Sequence, residues 1–590
     1  MNTSQNKVCQ NCKNEFHIEP EDFEFYAKIK VPPPTFCPDC RLQRRMAWRN
    51  ERSLYKRTCD LCKGSVVSIY SPDKPHIVYC DNCFHGDGWD PLSYGMDVDF
   101  SRPFLDQYRE LQLKVPRLYA FVFNNVNSEY VNGAAFNKNC YLIFVSDHNE
   151  ESMYSYSIFN CKNMLDSLNC SESELCYESV TCKKCYRVYY SQDCNDSQNL
   201  YFCKNCVNCH DCVGSVNLRN AQYVIFNKQY SKDEYFKALK ELGLESRNSL
   251  AELKSKARNS WPRFISKYIH GLQNKDVVGD YIFNSKNVVR GFDSELLEDS
   301  RYINFGNKAK DCYDGYVVVD NCELSYEVTS AIALQNVKAS YCVWHDFNVQ
   351  YSDTCENSNN LFGCVSLRKK EYCILNKQYT KEEYERLLPK IIDHMNAIPF
   401  KDAKGRIYKY GEFFPVELSP FAYNETAAQE HFARDEQMAK DAGFLWRAQD
   451  VKNQKAEISP AELPDTIAGI GDDIAGKSIG CEHEGKCNEQ CSLAFRITPD
   501  ELEFYKKMNI PVPMLCQNCR HFQRLAQKNP LKLWDSKCMC AGAKSDNASY
   551  TNVQEHFHKA DHCPNAFQTT YSPERREIIY CEQCYQTEVA

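Results

Sequence analysis

The two ends of the chain carry the same framework of closely spaced cysteines. Near the start, a Glu-Phe-Tyr stretch at residues 24–26 lies between two cysteine pairs, and Arg41 follows the second pair. Near the end, the same order returns around residues 503–505 and Arg520. Two such pairs present four thiolates from two tight turns, which is a ligand set for a tetrahedral zinc ion. The framework therefore predicts a metal-held module at each end.

Two complete zinc sites are predicted within residues 1–90, where four pairs of the Cys-x2-Cys type lie. Four thiolates close the coordination sphere, so these sites are predicted to be structural and not catalytic. The spacing between the pairs is typical of a zinc ribbon. The predicted ligands are Cys9, Cys12, Cys37 and Cys40 for the first site, and Cys59, Cys62, Cys80 and Cys83 for the second.

The C-terminal copy predicts a third and a fourth site, so that about four zinc ions per chain are expected. The predicted ligands are Cys487, Cys491, Cys516 and Cys519 for the third site, and Cys538, Cys540, Cys581 and Cys584 for the fourth. This copy departs from the first because it has a Cys-x-Cys pair followed by a longer insert. Further candidate ligands there either replace one of the fourth set, build a fifth site, or are merely solvent-facing: His556, His558, His562 and Cys563, with Cys481 and His483 before them.

Composition and charge bear on where such a chain resides. The chain has 35 cysteines, and their preferred Cys-x2-Cys spacing indicates metal ligation in a reducing compartment more readily than disulfides. The N-terminal residues contain no apolar leader, and no stretch reaches the length of a membrane span. We therefore expect a cytoplasmic protein without membrane contact; export with disulfide bonding is the alternative. The net charge of −8 gives no global signal for nucleic acid.

A basic run follows the second cysteine pair in each copy, over segments 41–57 and 520–537. Lysine, arginine and aromatic side chains beside a zinc site can hold a phosphate backbone and stack on bases. The alternative is a solvated helix face whose charges pair with acidic residues elsewhere. The arginines predicted to contact nucleic acid are Arg41, Arg44, Arg45, Arg49, Arg52, Arg520 and Arg524.

The middle of the chain repeats a short unit of Asn or Asp, Cys, an aromatic residue and Ser. Short β-rich units of this kind are typical of a parallel β-helix, and two units are expected to form one coil of roughly 22 residues. Each half of the array ends in a capping box, Ser231 with Glu234 and Thr380 with Glu383, which predicts helices over 232–257 and 381–397. Four cysteines in one unit are open to three interpretations, an iron–sulfur cluster, extra zinc or a buried ladder: Cys203, Cys206, Cys209 and Cys212.

The sequence shows none of the common catalytic motifs, such as a Gly-rich phosphate loop or the His-Glu-x-x-His pattern. An enzyme acting on a glycan or another polymer is the alternative function, because β-helix enzymes place paired carboxylates on one sheet face. Acidic residues at tight turns are the commoner reason for such pairs. The candidate groups are Asp311, Asp314, Asp320 and Glu323, and Asp147 with His148.

Several motifs resemble a group of uncharacterised cysteine-rich zinc-ribbon proteins known mainly from bacterial metagenomes. The residues that carry the resemblance are Glu503-Phe-Tyr-Lys-Lys-Met, Pro511-Val-Pro, Cys516-Gln-Asn-Cys-Arg520, Tyr571-Ser-Pro, Tyr580-Cys-Glu-Gln-Cys-Tyr585 and Asn376-Lys-Gln-Tyr379. The resemblance covers most of the chain and implies zinc ribbons around a repeat domain. It implies no substrate.

Together these observations predict a mainly β protein with some α, in which a parallel β-helix solenoid is flanked by N- and C-terminal zinc-ribbon modules. We expect a zinc-binding, non-enzymatic scaffold whose partner is a protein or a nucleic acid, in an unknown oligomeric state. The predicted segments are a tandem zinc-ribbon module at 1–90, a helical connector at 91–118, β-helix repeats at 119–230, linking helices at 231–275, further repeats at 276–379, a capping helix and connector at 380–480, and the second zinc-ribbon module at 481–590.

Overall fold

The computed structural model describes residues 4–319, 326–327, 329–332, 341–344, 347–448 and 456–589. These residues form helices and strands in a mixed fold in which most of the strand pairing in the middle of the chain is parallel. The chain divides into two compact units, each made of two stretches: Met1–Ala120 with Ile269–Ala448, and Phe121–Tyr268 with Gln449–Ala590. In the described part of the chain, no helix has both the length and the apolar character needed to cross a membrane.

The first unit joins the N-terminal module, residues 5–85, to the second repeat array, residues 271–378. Its α-helices are Pro20–Lys28, Pro38–Met46, Asp81–His85, Phe104–Lys114, Lys381–Ala397, Ala427–His431 and Glu436–Asp441. Its short strands outside the array are Gln5–Val8, Glu15–Ile18, Tyr55–Thr58, Ser65–Ser68, Val78–Tyr79, Arg117–Leu118, Phe400–Lys401 and Ile407–Tyr408. The strands of the second array are Gly271–Leu272, Lys275–Phe283, Lys286–Glu295, Glu298–Arg301, Asn304–Asn307, Tyr316–Val319, Thr329–Ile332, Tyr341–Trp344, Phe347–Gln350, Asp353–Glu356, Asn359–Phe362, Glu371–Ile374 and Lys377–Gln378.

The second unit joins the first repeat array, residues 122–229, to the C-terminal module, residues 479–589. Its α-helices are Lys232–Glu241, Arg247–Ser260, Pro499–Met508, Gln517–Leu525 and Glu582–Val589. The strands of the first array are Val122–Phe123, Asn132–Ala135, Phe144–Asp147, Tyr156–Phe159, Leu168–Ser171, Tyr186–Tyr189, Gln198–Tyr201, His210–Val213, Gln222–Ile225 and Lys228–Gln229. The other strands are Ile265–Lys267, Ile479–Gly480, Ala494–Phe495, Trp534–Lys537, Ala566–Thr569 and Ile578–Tyr580.

Parallel pairing in the first array joins residues that are twelve positions apart. Tyr156 pairs with Leu168, and isolated bridges continue the same offset from Lys138 to Glu150 and beyond. The pairing unit is therefore twelve residues long and not the roughly 22 expected from two sequence units. The expected length was wrong because neighbouring sequence units pair directly with each other, so each unit spans one pairing repeat and two units do not combine into one.

A period of three residues runs through the same array. From Phe136 to Gly214 every third residue has a positive φ, and from Ser128 to Ser215 every third residue is buried. Asn and Asp tolerate the left-handed region better than other side chains, which explains their abundance at the first of these positions. The narrow interior favours small side chains at the buried positions, and Cys and Ser are the most frequent residues there.

The interior positions explain most of the cysteines in the middle of the chain. Among the described residues, each of these thiols donates to the carbonyl two residues earlier, as Cys206 does to Lys204 at 3.6 Å. Serines in the same positions do likewise, as Ser197 does to Asn195 at 2.7 Å. Of the three interpretations of the four-cysteine run, this bonding supports the buried ladder: Cys203, Cys206, Cys209 and Cys212 are all buried and each donates to a carbonyl.

This interior chemistry predicts the outcome of substitutions at Cys206. Serine can make the same hydrogen bond, so Cys206→Ser is expected to change the free energy of unfolding by less than about 1 kcal/mol. Phenylalanine overfills the narrow interior, so Cys206→Phe is expected to cost at least about 1–3 kcal/mol. Hydrogen exchange of the first array measures both; equal effects of the two variants would contradict the assignment of Cys206 to a tight interior position.

Both repeat arrays end in helices whose caps were predicted from sequence. Ser231 accepts from the backbone N–H of Glu234 and begins the helix Lys232–Glu241, and Thr380 does the same for the helix Lys381–Ala397. Both predicted capping boxes are confirmed. The expected single helix 232–257 is instead two helices, because the chain turns at Gly243, whose φ is +61°.

Candidate metal centres

The first two cysteine sets of the sequence come together as predicted. Each set has sulfur atoms that all lie within 4.8 Å of one another, as one metal ion requires, and the sets are Cys9, Cys12, Cys37 and Cys40, and Cys59, Cys62, Cys80 and Cys83. Within them Cys12 Sγ lies 3.7 Å from Cys37 Sγ, and Cys62 Sγ lies 3.8 Å from Cys80 Sγ. These separations match those between thiolates around a tetrahedral ion with metal–sulfur bonds of about 2.3 Å.

Both N-terminal sets are built in the same way, from the loop of a β-hairpin and the first turn of a helix. Cys9 directly follows the strand Gln5–Val8, and Cys37 is the N-cap of the helix Pro38–Met46. The backbone N–H of Cys37 donates to Cys9 Sγ at 3.2 Å. In the second set the N–H of Cys80 donates to Cys59 Sγ at 3.3 Å. N–H donors and helix N-termini favour thiolates, so the backbone is arranged for metal binding.

The pKa values of these thiols follow from their contacts. The hydrogen bond from the Cys37 side chain lowers the pKa of Cys9 well below its ordinary value, and Cys40 acts in the same direction. Burial raises the pKa of Cys59, but N–H donors led by that of Cys80 outweigh burial and bring this pKa to about 6. Each set thus contains one thiol that readily becomes a thiolate, and a divalent ion would displace the remaining protons.

In the third set the structure adds Cys481, which the prediction for this set did not include, to three of the predicted cysteines. The sulfurs of Cys481, Cys491, Cys516 and Cys519 lie within 4.8 Å of one another. Cys481 directly follows the strand Ile479–Gly480, and its Sγ accepts from the N–H of Cys516 at 3.3 Å, as Cys9 does from Cys37. Cys487 lies in the longer loop after it, with its Sγ 3.7 Å from Cys519 Sγ. Spacing alone favoured Cys487, since Cys-x3-Cys is nearer to the usual pair.

In the fourth set Cys563 takes the place predicted for Cys540. The sulfurs of Cys538, Cys563, Cys581 and Cys584 are buried and lie within 4.8 Å of one another. Cys563 stands three residues before the strand Ala566–Thr569, as Cys62 does before Ser65–Ser68. The insert is therefore an enlarged hairpin loop, and the arrangement fits the alternative in which Cys563 replaces one member of the predicted fourth set. Position relative to the apolar second strand was the signal that could have identified it.

Cys540 belongs to a neighbouring group within the insert. Its sulfur lies with His556, His558 and Cys584 so that the four donor atoms are within 4.8 Å of one another. Two of the further candidates, His556 and His558, therefore lie at a candidate metal centre. His562 instead contacts Asp546 at 2.6 Å and the carbonyl of Cys563 at 2.9 Å.

The basic runs beside the cysteines are largely buried against the repeat arrays. In the first unit, Arg41 contacts Asp314 at 2.8 Å and Arg45 contacts the same carboxylate at 3.2 Å. Arg44 reaches Glu327 at 2.6 Å and Glu412 at 3.1 Å. All three guanidinium groups are at most 2% exposed.

The second unit repeats this docking with equivalent residues. Arg520 contacts Asp166 at 3.0 Å and Arg524 contacts it at 2.8 Å. The guanidinium of Arg520 lies 5.0 Å from the ring of Tyr154, as that of Arg41 lies 5.1 Å from Tyr302. Each module thus packs on the array that is distant from it in sequence.

This placement does not fit the predicted contact with nucleic acid. A phosphate group cannot reach side chains that are held inside a unit by carboxylates. Arg49 pairs with Glu51 at 3.2 Å, and Arg52 pairs with Glu430 at 3.2 Å. The arginines that form these ion pairs are Arg41, Arg44, Arg45, Arg49, Arg52, Arg520 and Arg524.

The carboxylates considered for an enzyme are engaged elsewhere where the structure describes them. Asp314 is buried in the docking ion pairs, and Asp311 lies 3.7 Å from Lys28. Asp147 accepts from the backbone N–H of Ala135 at 2.8 Å, and burial raises its pKa. His148 stacks on a phenylalanine ring. Asp320 and Glu323 lie outside the described residues.

Comparison of the chain with protein-family models and with curated proteins gives no match.

Proposed function

We propose that this protein is a zinc-binding scaffold without catalytic activity, in which two zinc-ribbon modules brace a parallel β-helix. The observation that carries the proposal is the repetition of one arrangement, a hairpin loop plus a helix N-terminus, in all four cysteine sets. Sets closed by four thiolates leave no position for a substrate, which favours a structural role. We propose zinc because closed sets of four cysteines are a usual structural zinc site, whereas calcium prefers oxygen ligands.

The β-helix part of the proposal rests on the twelve-residue pairing offset and the three-residue burial period. Four triplets make one coil, and successive coils stack through parallel hydrogen bonds. The resemblance to cysteine-rich zinc-ribbon proteins with a central repeat agrees with this architecture. A reducing compartment such as the cytoplasm would keep the buried thiols and the metal ligands unoxidised.

The partner proposed for this scaffold is a protein, because the arginines best suited to phosphates are used within the units. The lysines left exposed in the basic segments are few, namely Lys56, Lys532 and Lys537. We expect no binding of single- or double-stranded nucleic acid at low salt in an electrophoretic shift measurement. Binding that falls steeply with added salt would restore nucleic acid as the partner.

Metal analysis of the purified full-length protein tests the function directly. We expect at least about four zinc ions per chain by elemental analysis and native mass spectrometry. A content below about two ions per folded chain would contradict the proposal, because at least one whole module would then stand without metal.

A further inference from the structure

The insert of the C-terminal module places a second set of metal ligands beside the fourth cysteine set. Cys540, His556 and His558 come from this insert and the pair before it, and the N-terminal module has no counterpart to them. Their donor atoms lie within 4.8 Å of one another and of Cys584 Sγ. Cys584 also belongs to the set of Cys538, Cys563 and Cys581. One sulfur atom is therefore common to two candidate centres.

Both histidines are held in the orientation of metal ligands. His556 Nε2 lies 3.0 Å from the Glu588 carboxylate, while its Nδ1 is buried and has no hydrogen-bond partner among the described residues. His558 Nδ1 lies 2.7 Å from the carbonyl of Asp561, and its Nε2 faces Cys584 Sγ at 3.4 Å. An acceptor on one ring nitrogen fixes the tautomer and leaves a lone pair on the other, which is how ligating histidines are usually supported.

The thiols of this region are supported in a similar way. Asn552 donates from Nδ2 to Cys540 Sγ at 3.2 Å, and Asn565 donates to Cys581 Sγ at 3.3 Å. Both cysteines are buried, Cys540 completely. The unpartnered Nδ1 of His556 is costly without an ion, because this buried nitrogen then does not recover the hydrogen bond that it lost on leaving water.

We propose that the C-terminal module holds two metal ions bridged by the thiolate of Cys584. One ion is bound by Cys538, Cys563, Cys581 and Cys584, and the other by Cys540, His556, His558 and Cys584. Both donor sets are ones that zinc accepts in structural sites. Sharing one thiolate leaves five thiolates for two divalent ions, so the cluster carries less negative charge per ion than a separate four-cysteine site. The inference rests on the proposed metal-binding function and raises the expected content to five ions per chain.

Cadmium NMR of the full-length protein, with 113Cd in place of the native metal, tests the bridge. We expect five cadmium resonances, two of which show scalar coupling to each other through the Cys584 sulfur. Five resonances without coupling, or four resonances, would overturn the bridge while leaving the proposed function intact. A protein that takes up fewer than two cadmium ions would instead contradict the proposed function.

The metal content of variants tests the second centre without relying on scalar coupling between cadmium ions. The double variant His556→Ala and His558→Ala is expected to lose one of five ions by native mass spectrometry and to keep the other four. His562→Ala is the matched control in the same insert, because His562 contacts Asp546 and a backbone carbonyl, and it should keep all five. Retention of five ions by the double variant would overturn the second centre.

Discussion

Replacing Asp166 by asparagine is expected to lower the free energy of unfolding of the second unit by about 3–5 kcal/mol. Its two carboxylate oxygens hold Arg520 at 3.0 Å and Arg524 at 2.8 Å, and all three side chains are at most 3% exposed. Asparagine keeps the shape but removes the charge, so Arg524 is left buried without a counter-ion and Arg520 keeps only its longer contact to Glu501 at 3.5 Å. Native-state hydrogen exchange of the first array measures the change.

Asp196→Asn is the matched control for this substitution. Asp196 lies in the same array with a φ of +48°, close to the +52° of Asp166, but its side chain is exposed. Asparagine suits the left-handed region as well as aspartate does, so the control should change stability by less than about 0.5 kcal/mol. Similar losses in both variants would show that the effect belongs to the array backbone and not to the docking ion pairs.

Replacing Cys59 by serine is expected to remove one metal ion and to unfold the part of the N-terminal module around it. The hairpin of Tyr55–Thr58 and Ser65–Ser68 has only two short strands, which are not stable alone in water. Metal binding supplies the missing free energy. In zinc-finger peptides the apparent binding free energy is roughly 10–16 kcal/mol. Native mass spectrometry should show the loss of one ion, and the amides of the hairpin should lose their protection from exchange.

Cys206→Ser is the control for the loss of metal, because it removes a buried thiol that belongs to the array interior. Its metal content should equal that of the unchanged protein. A Cys59→Ser variant that retains every ion would show that Cys59 is not a ligand. Loss of an ion from Cys206→Ser would place metal inside the array and revive one of the interpretations of its four-cysteine run.

The N-terminal ligand sets and the helix caps could be predicted from sequence because each depends on short spacings. Cys9 and Cys12, or Thr380 and Glu383, lie within one turn, so local geometry decides their roles. The C-terminal sets could not be predicted in full. Loops of different length separate Cys481 from Cys491 and Cys538 from Cys563. The free-energy cost of closing a loop grows only slowly with its length, so the spacing between paired cysteines can vary widely.

The burial of the basic runs could not be predicted because it depends on ion pairs between residues that are far apart in the sequence. Arg41 and its partner Asp314 are 273 positions apart, and nothing near either residue indicates the pairing. From sequence alone, the row of arginines was therefore interpreted as an exposed surface that binds phosphates, although these side chains are buried. The array was predicted to repeat, but its three-residue period was hidden because the conspicuous tyrosines do not mark the small residues of the interior.

The docking of each module on the array distant from it in sequence is tested most directly by a double-mutant cycle between Asp166 and Arg524. Asp166→Asn, Arg524→Met and the double variant are compared by hydrogen exchange of the second unit with metal bound. If the two side chains are in contact, the double variant should be less destabilised than the sum of the single variants by about 0.5–3 kcal/mol. Effects that add to within about 0.3 kcal/mol would contradict the contact and, with it, the docked arrangement.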